Sequence, residues 1–350
     1  MPKKLPILLA LSLSAAGLLN AQLGGRKVYA FLDLPVSARI TALGGSLISV
    51  QDDDVNLAYA NPSLLNPTMH QQIGFNYNFL VDGVGSGYAS YAHAVNKWRT
   101  TFHGGIQFAN YGTFDLTDEY GANQGIFKAA DYALVLGAGF QAYDRLTVGA
   151  NVKWVTSRLE SYNSMGLLAD LAFTYRDTAR NLTFSLVMHH IGGQLTPYRE
   201  GNYEPVPFEM QLGLSKKLEH LPFRFSIIYH HFDQWSIRYD DPSAEDETIF
   251  FGDVQTEQSP TAKFFDNFFR HFIFSGEFLL GKRENFRLRF GYNHLMRKEL
   301  SIENLRSLAG FTFGAGIKVN RFRIDFGRTN YHLAGGATQI SIATNFQEFR

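Results

Sequence analysis

From residue 71 onward the chain alternates apolar and polar residues along segments of about ten residues, and no other feature narrows its fold so far. In one segment Phe311, Phe313, Ala315 and Ile317 share a face, while Thr312, Gly314, Gly316 and Lys318 share the other. In the next, Phe322, Ile324 and Phe326 alternate with Arg321, Arg323 and Asp325. Phe223, Phe225, Ile227 and Tyr229 alternate with Arg224, Ser226 and His230 in the same way, and Phe286, Leu288, Phe290 and Tyr292 with Arg287, Arg289 and Asn293. A helix repeats every 3.6 residues and would scatter these aromatics around its axis. A strand repeats every two and collects them on one side.

Fourteen such segments are expected, at about 72–80, 86–95, 99–110, 131–142, 145–157, 164–176, 181–190, 207–216, 222–232, 270–281, 286–295, 308–318, 321–330 and 338–346. An even count suits a barrel whose two termini lie on the same side of a membrane. The connections sort independently of the count. Asn96-Lys97, Tyr143-Asp144, 177–180, 218–221, 282–285 and Val319-Asn320 are short, whereas 111–130, 191–206, 233–269 and 296–307 fall in the alternate positions and are long. Outer-membrane barrels segregate short periplasmic turns from longer outer loops in this way. The expected fold is therefore all-β: a transmembrane barrel of about fourteen antiparallel strands over residues 71–350. Ile340, Ile342, Thr344 and Phe346 close it, followed by Phe349.

Composition agrees. The 350 residues contain 31 Phe and 17 Tyr, more than a buried core of this size needs, and no Cys. A soluble β-sandwich would also alternate, but its outer faces would be mainly polar. Lysine plus arginine equals aspartate plus glutamate at 32 each, without the basic excess of a nucleic-acid binder. No Cys excludes disulfides and a thiol nucleophile. At the start, Lys3 and Lys4 precede an apolar run from Leu5 to Leu19, and Asn20-Ala21-Gln22 offers a cleavage site, so residues 1–21 read as an export signal. It is short for a membrane anchor, and no later apolar run is long enough for a transmembrane helix.

Residues 22–70 do not alternate. They carry Ser37-Ala38-Arg39-Ile40-Thr41-Ala42-Leu43-Gly44-Gly45, then Asp52-Asp53-Asp54, then Asn61-Pro62-Ser63. Ser37 can cap a short helix that Gly44 stops, and Asn-Pro favours a turn. These motifs resemble the N-terminal hatch of the FadL-like outer-membrane barrels, with Ser63 where Ala is usual. The resemblance implies that Ser37, Arg39, Gly44, Gly45, Asp52, Asp53, Asp54, Asn61 and Pro62 belong to a segment folded inside a fourteen-strand barrel. The stretch from Val28 to Gly45 is closer to the PorQ-type barrels of the type IX secretion system, which are related to PorV. That resemblance implies a bacterial outer-membrane location in Bacteroidetes and a non-enzymatic role in a cell-surface attachment complex. The implied partners are a surface protein resembling PorZ and a PorU/PorV-like sortase and barrel, in addition to outer-membrane lipid. The alternative is a FadL-like transporter of hydrophobic compounds.

Alternation turns Lys153, Asp170, Glu209, Arg224, Glu277, Arg287, Arg289, Arg323 and Asp325 into the lumen, where charges of both signs should pair and cross-link. Asp52-Asp53-Asp54 is open to three readings: a solvated turn, a cation site or pairing with lumen arginines. The Gly and late Glu of an EF-hand are missing. His189-His190 and His230-His231 look like metal ligands, but strand neighbours point to opposite faces, so no metal is expected there. No His-Glu-x-x-His, Walker or Gly-x-Ser-x-Gly motif occurs, and no enzyme or cofactor is expected. In the longest loop, Asp240, Asp241, Glu245, Asp246 and Glu247 precede Ile249, Phe250 and Phe251. Aromatic anchors rimmed by charge suit protein interfaces, so this loop is the expected docking point for a surface partner.

Overall fold

The computed structural model describes residues 27–80, 83–238, 259–282, 284–300, 308–332 and 335–349. The expected export signal, residues 1–21, and the whole candidate docking stretch from Asp240 to Phe251 lie outside the described residues.

Fourteen antiparallel strands close into one barrel, each paired with its sequence neighbours and β1 with β14. They are β1 Gln72–Phe79, β2 Gly85–Val95, β3 Thr100–Thr117, β4 Asn123–Tyr143, β5 Leu146–Leu159, β6 Tyr162–Asp177, β7 Leu182–Thr196, β8 Glu209–Lys217, β9 Phe223–Tyr229, β10 Phe272–Leu280, β11 Phe286–Asn293, β12 Phe311–Val319, β13 Phe322–His332 and β14 Gly335–Asn345. Closure leaves no edge of unpaired backbone groups, which a lipid environment could not satisfy. The outward residues are apolar on nearly every strand: Phe75 is 54% exposed, Ile106 55%, Leu136 58% and Phe313 47%. An apolar belt this continuous suits contact with acyl chains and would drive a soluble protein to aggregate. Among the described residues no helix is long and apolar enough to cross a membrane.

Four segments differ from the sequence expectation. Residues 111–130 form no irregular loop, because β3 and β4 run on to Thr117 and Asn123 as one hairpin. Its tip is tied by the Asp118 carboxylate, which accepts from the backbone of Tyr120 and Ala122. At about 3.3 Å per residue these strands far outreach a bilayer, so their distal parts project beyond it. There both faces meet water, and the backbone ladder persists without an alternating sequence. In the 233–269 connection, Pro260–Arg270 is a helix, α3, capped by the Ser259 side chain accepting from Ala262. A second short helix, α4, spans His294–Glu299. Finally, β14 stops at Asn345 and Phe346–Phe349 turns into a 3-10 helix. The alternation expected to run through Phe346 therefore ends one residue short, and Phe349 packs against Phe322 and Arg321.

The short connections between even and odd strands all lie at one end of the barrel, and the β3–β4 hairpin lies at the other. We expect an epitope tag at Tyr143-Asp144 to be hidden in intact cells and a tag at Gly121 to be accessible. The reverse pattern in surface labelling would overturn this orientation.

Candidate functional site

The lumen is filled by the segment before β1. A 3-10 turn at Ala30–Asp33 leads to helix α1, Ala38–Ala42, then to α2, Leu57–Ala60, and to 3-10 turns at Pro62–Leu64 and Pro67–Met69. The segment has its own apolar centre of Val36, Ile40, Leu43, Leu47, Val50, Leu57 and Leu64, onto which Tyr88 and Val135 of the wall pack. Nearly all its residues from Val36 to Leu65 are buried or half-buried.

Polar chemistry fixes it to the wall. The Ser37 hydroxyl accepts from the backbone of Ile40 and starts α1. Gly44 and Gly45 take positive φ values of 89° and 92°, which end the helix, and Gly45 donates back to the Ile40 carbonyl at 3.1 Å. Asn61 donates to the Ile48 carbonyl at 2.6 Å, and its side-chain oxygen accepts from the Ser63 backbone at 2.9 Å and hydroxyl at 2.6 Å. The Ser63 hydroxyl also lies 2.7 Å from that of Thr174 on β6, so the departure from Ala adds a bond to the wall. Pro62 opens the next turn, directly against Gly149 of β5. A Cβ at Gly149 would fall 2.3 Å from the Pro62 carbonyl carbon, and one at Gly327 would fall 2.2 Å from the Ala38 carbonyl oxygen. Glycine is what lets hatch backbone touch wall backbone at these two places.

The expected lumen charges all face inward, and most are gathered near the short-turn end. Arg39, buried on α1, donates to Asp52 at 2.7 Å, Asp54 at 3.1 Å and Glu277 at 3.1 Å. Glu277 of β10 also accepts from Arg224 of β9 and from Arg289 of β11 at 2.9 Å, its register partners on the two flanking strands. Arg289 continues to Asp325 at 2.5 Å, and Arg323 reaches Asp53 at 2.5 Å. Arg224 lies 3.4 Å from Asp52. Arg287 faces the same cluster and donates to the Glu284 carbonyl at 3.3 Å. Five acids, Asp52, Asp53, Asp54, Glu277 and Asp325, thus meet five arginines, 39, 224, 287, 289 and 323. The three hatch aspartates pair with arginines, which leaves no acidic surplus to attract a cation.

Burial by itself would raise the Asp52 pKa, but Arg39 and then Arg224 hold it well below the usual carboxylate value. A depressed carboxyl contributes stability that is fully present above its unfolded pKa of about 4 and is lost as pH falls through the folded value. We expect the Asp52 contribution to be unchanged from pH 8 to 5. The stability difference between the wild type and Asp52→Asn, read from denaturation midpoints, should narrow only in stronger acid. A difference that vanished already at pH 5 would mean that the folded carboxyl takes up its proton above the usual carboxylate range, so that Arg39 and Arg224 do not hold it ionised.

A separate pair sits deeper. Lys153 of β5 and Asp170 of β6 are fully buried 2.8 Å apart, with the ammonium 4.2 Å from the Tyr59 ring centroid. Next to it lies a cavity of about 80 Å³ lined by Asp33, Tyr59, His189, His190, Glu209 and Gln211 among others. Its lining is mixed, with Leu32, Leu34, Val36 and Ile40 beside the polar groups, and its volume is small for a hydrocarbon guest; an apolar cavity that holds benzene is about 150 Å³.

The histidine pairs correct the sequence argument. His190 and His231 adopt left-handed backbone, with φ of 56° and 52°. One such residue breaks the two-residue alternation, so both members of each pair turn to the same side. Asp170, His189 and His190 gather their donor atoms within 4.8 Å of one another, and so do Glu209, His230 and His231. Histidine adopts this backbone more often than most residues, but a positive φ outside glycine is too uncommon for the residue type alone to signal it.

No protein-family model matches the sequence, and no curated protein matches it. Solved structures do. The toluene transporter TbuX of Ralstonia pickettii superposes with a TM-score of 0.53 at 14% identity, over 90% of this chain and 99% of that one. A mutant of the monoaromatic hydrocarbon channel TodX gives 0.52 at 15%, over 90% and 99%, and the monoaromatic hydrocarbon channel CymD gives 0.52 at 12%, over 89% and 98%. Identities this low speak for the fold alone: the chain is a closed fourteen-strand antiparallel barrel of the kind built by FadL-like outer-membrane channels.

Proposed function

We propose that this chain is a plugged, non-enzymatic outer-membrane barrel that serves as a scaffold in a type IX-like attachment complex, holding a PorZ-like surface protein beside PorU- and PorV-like components. The observation that carries this reading is the ion-paired seal across the lumen. Arg39 pairs with Glu277, which Arg224 and Arg289 flank, so the hatch is tied to three adjacent strands, and breaking such buried pairs is costly. A barrel closed this firmly suits holding better than conducting. The resemblance of the Val28–Gly45 stretch to PorQ-type barrels supports the same choice.

A second reading is favoured by the structural likeness to TbuX, TodX and CymD: passage of small hydrophobic compounds. The solved structures speak for this reading more than for attachment. Purification of the tagged protein from its native membrane, joined to a toluene-uptake assay on a deletion strain, separates the two. Co-elution of PorZ-, PorU- and PorV-like chains with unchanged uptake supports the scaffold. A lone barrel and reduced uptake would replace it with the transporter.

A further inference from the structure

At the barrel end away from the charge seal, Glu209 opens β8, and His230 and His231 follow the last residue of β9. Glu209 Oε1 lies 3.8 Å from His230 Nδ1 and 3.9 Å from His231 Nδ1, and the two rings are 4.8 Å apart, edge to face. His230 is 4% exposed. Nδ1 of His231 is buried without a hydrogen-bond partner, a cost that a ligand at this place would remove. Two imidazoles and a carboxylate with donor atoms within 4.8 Å of one another are the donor set of zinc, cobalt, nickel and copper, and too nitrogen-rich for calcium or magnesium.

We propose that Glu209, His230 and His231 bind one divalent transition-metal cation of the zinc class, with a further position left for water or an outside ligand. Around a tetrahedral ion with bonds of about 2.1 Å, donor atoms sit about 3.4 Å apart. Closing the two gaps to Glu209 therefore takes about half an ångström, and the three donor atoms already lie within 4.8 Å of one another, within the reach of side-chain rotation. The carboxylate is already oriented, since Glu209 Oε1 accepts from Gln211 Nε2 at 2.9 Å and from the His231 backbone at 3.2 Å. Such outer bonds aim metal ligands. The surroundings are also braced. Both ring nitrogens of His271 lie against carbonyl oxygens, Nδ1 at 2.8 Å from that of His230 and Nε2 at 3.1 Å from that of Trp235. His271 is thus a brace, not a fourth ligand. The bound ion would staple the start of β8 to the chain leaving β9, where the long connection to α3 begins.

The neighbouring trio of Asp170, His189 and His190 is the weaker competitor. Asp170 already carries the Lys153 ammonium at 2.8 Å and accepts from the His190 backbone at 3.0 Å. An incoming cation there would face a fixed positive charge, which nothing places within 4 Å of Glu209 among the described residues, its two histidines aside.

The test uses the full-length barrel in detergent, stripped with a chelator and titrated with Co²⁺ followed by Zn²⁺. The wild type should saturate at one equivalent with visible ligand-field absorption, and Zn²⁺ should displace the Co²⁺. Glu209→Gln and His231→Asn should each weaken binding by at least about tenfold, and Asp170→Asn should not. Asparagine tolerates the left-handed backbone, so His231→Asn keeps the local chain path. Retention of the compact, heat-resistant band in electrophoresis certifies each barrel. Absence of saturable absorption in the wild type overturns the proposal without recourse to any variant. So does binding that survives both ligand substitutions, or binding that only Asp170→Asn abolishes.

Discussion

Arg39→Met is expected to destabilise the barrel by about 3–5 kcal/mol, the cost of breaking a buried ion pair from one side. The side chain is 1% exposed and meets three carboxylates at once, those of Asp52, Asp54 and Glu277. Methionine keeps much of the volume but no charge, so the acids are left facing one another, with Arg224 and Arg289 as the nearest remaining partners of Asp52 and Glu277. Urea denaturation in micelles, followed by tryptophan fluorescence, gives the difference directly. Adding Glu277→Gln to Arg39→Met should recover part of the loss, because the two residues share one network and their effects are not additive. A loss under about 1 kcal/mol for Arg39→Met would place the cluster in the regime of solvated ion pairs, and the sealed-lumen argument would fall with it.

The second large effect is on the opposite face of the wall. Phe290 stands at the middle of β11, opposite Gly276 on β10 and Phe313 on β12, and is 43% exposed. Phe290→Arg should cost about 2–4 kcal/mol in lipid bilayers, the range for arginine at the midplane of a barrel's outer face. Phe290→Leu keeps an apolar contact and should cost far less. Folding titrations into vesicles would read both. Equal losses for the two would mean that this face does not meet acyl chains.

The strand plan was open to sequence reading because its signal is local. A strand's period of two is enforced by backbone geometry, and one face met lipid while the other met a polar lumen. The segments around Phe290, Phe313 and Ile324 therefore announced both their conformation and their orientation. The same logic failed where one of its conditions lapsed. The distal halves of β3 and β4 continue past the membrane, so the apolar face disappears from the sequence while the hydrogen-bond ladder goes on. At His190 and His231 a single left-handed residue reverses the facing of all that follows, and no residue type there forewarns of it.

The hatch shows the same division. Ser37, the Gly44-Gly45 pair and Asn61-Pro62 each act within a few residues of themselves, as a cap, a stop and a turn, and short-range motifs survive in a linear reading. Their partners in the wall do not. Arg39 meets Glu277 across 238 positions, and Arg323 meets Asp53 across 270. Away from those two histidines, the sequence by itself determined which wall residues turn inward, because facing in a regular strand follows from period and hydration. Only the tertiary structure decided which inward charge meets which, because closing a barrel around a folded segment brings together groups whose spacing along the chain carries no trace of their spacing in the lumen.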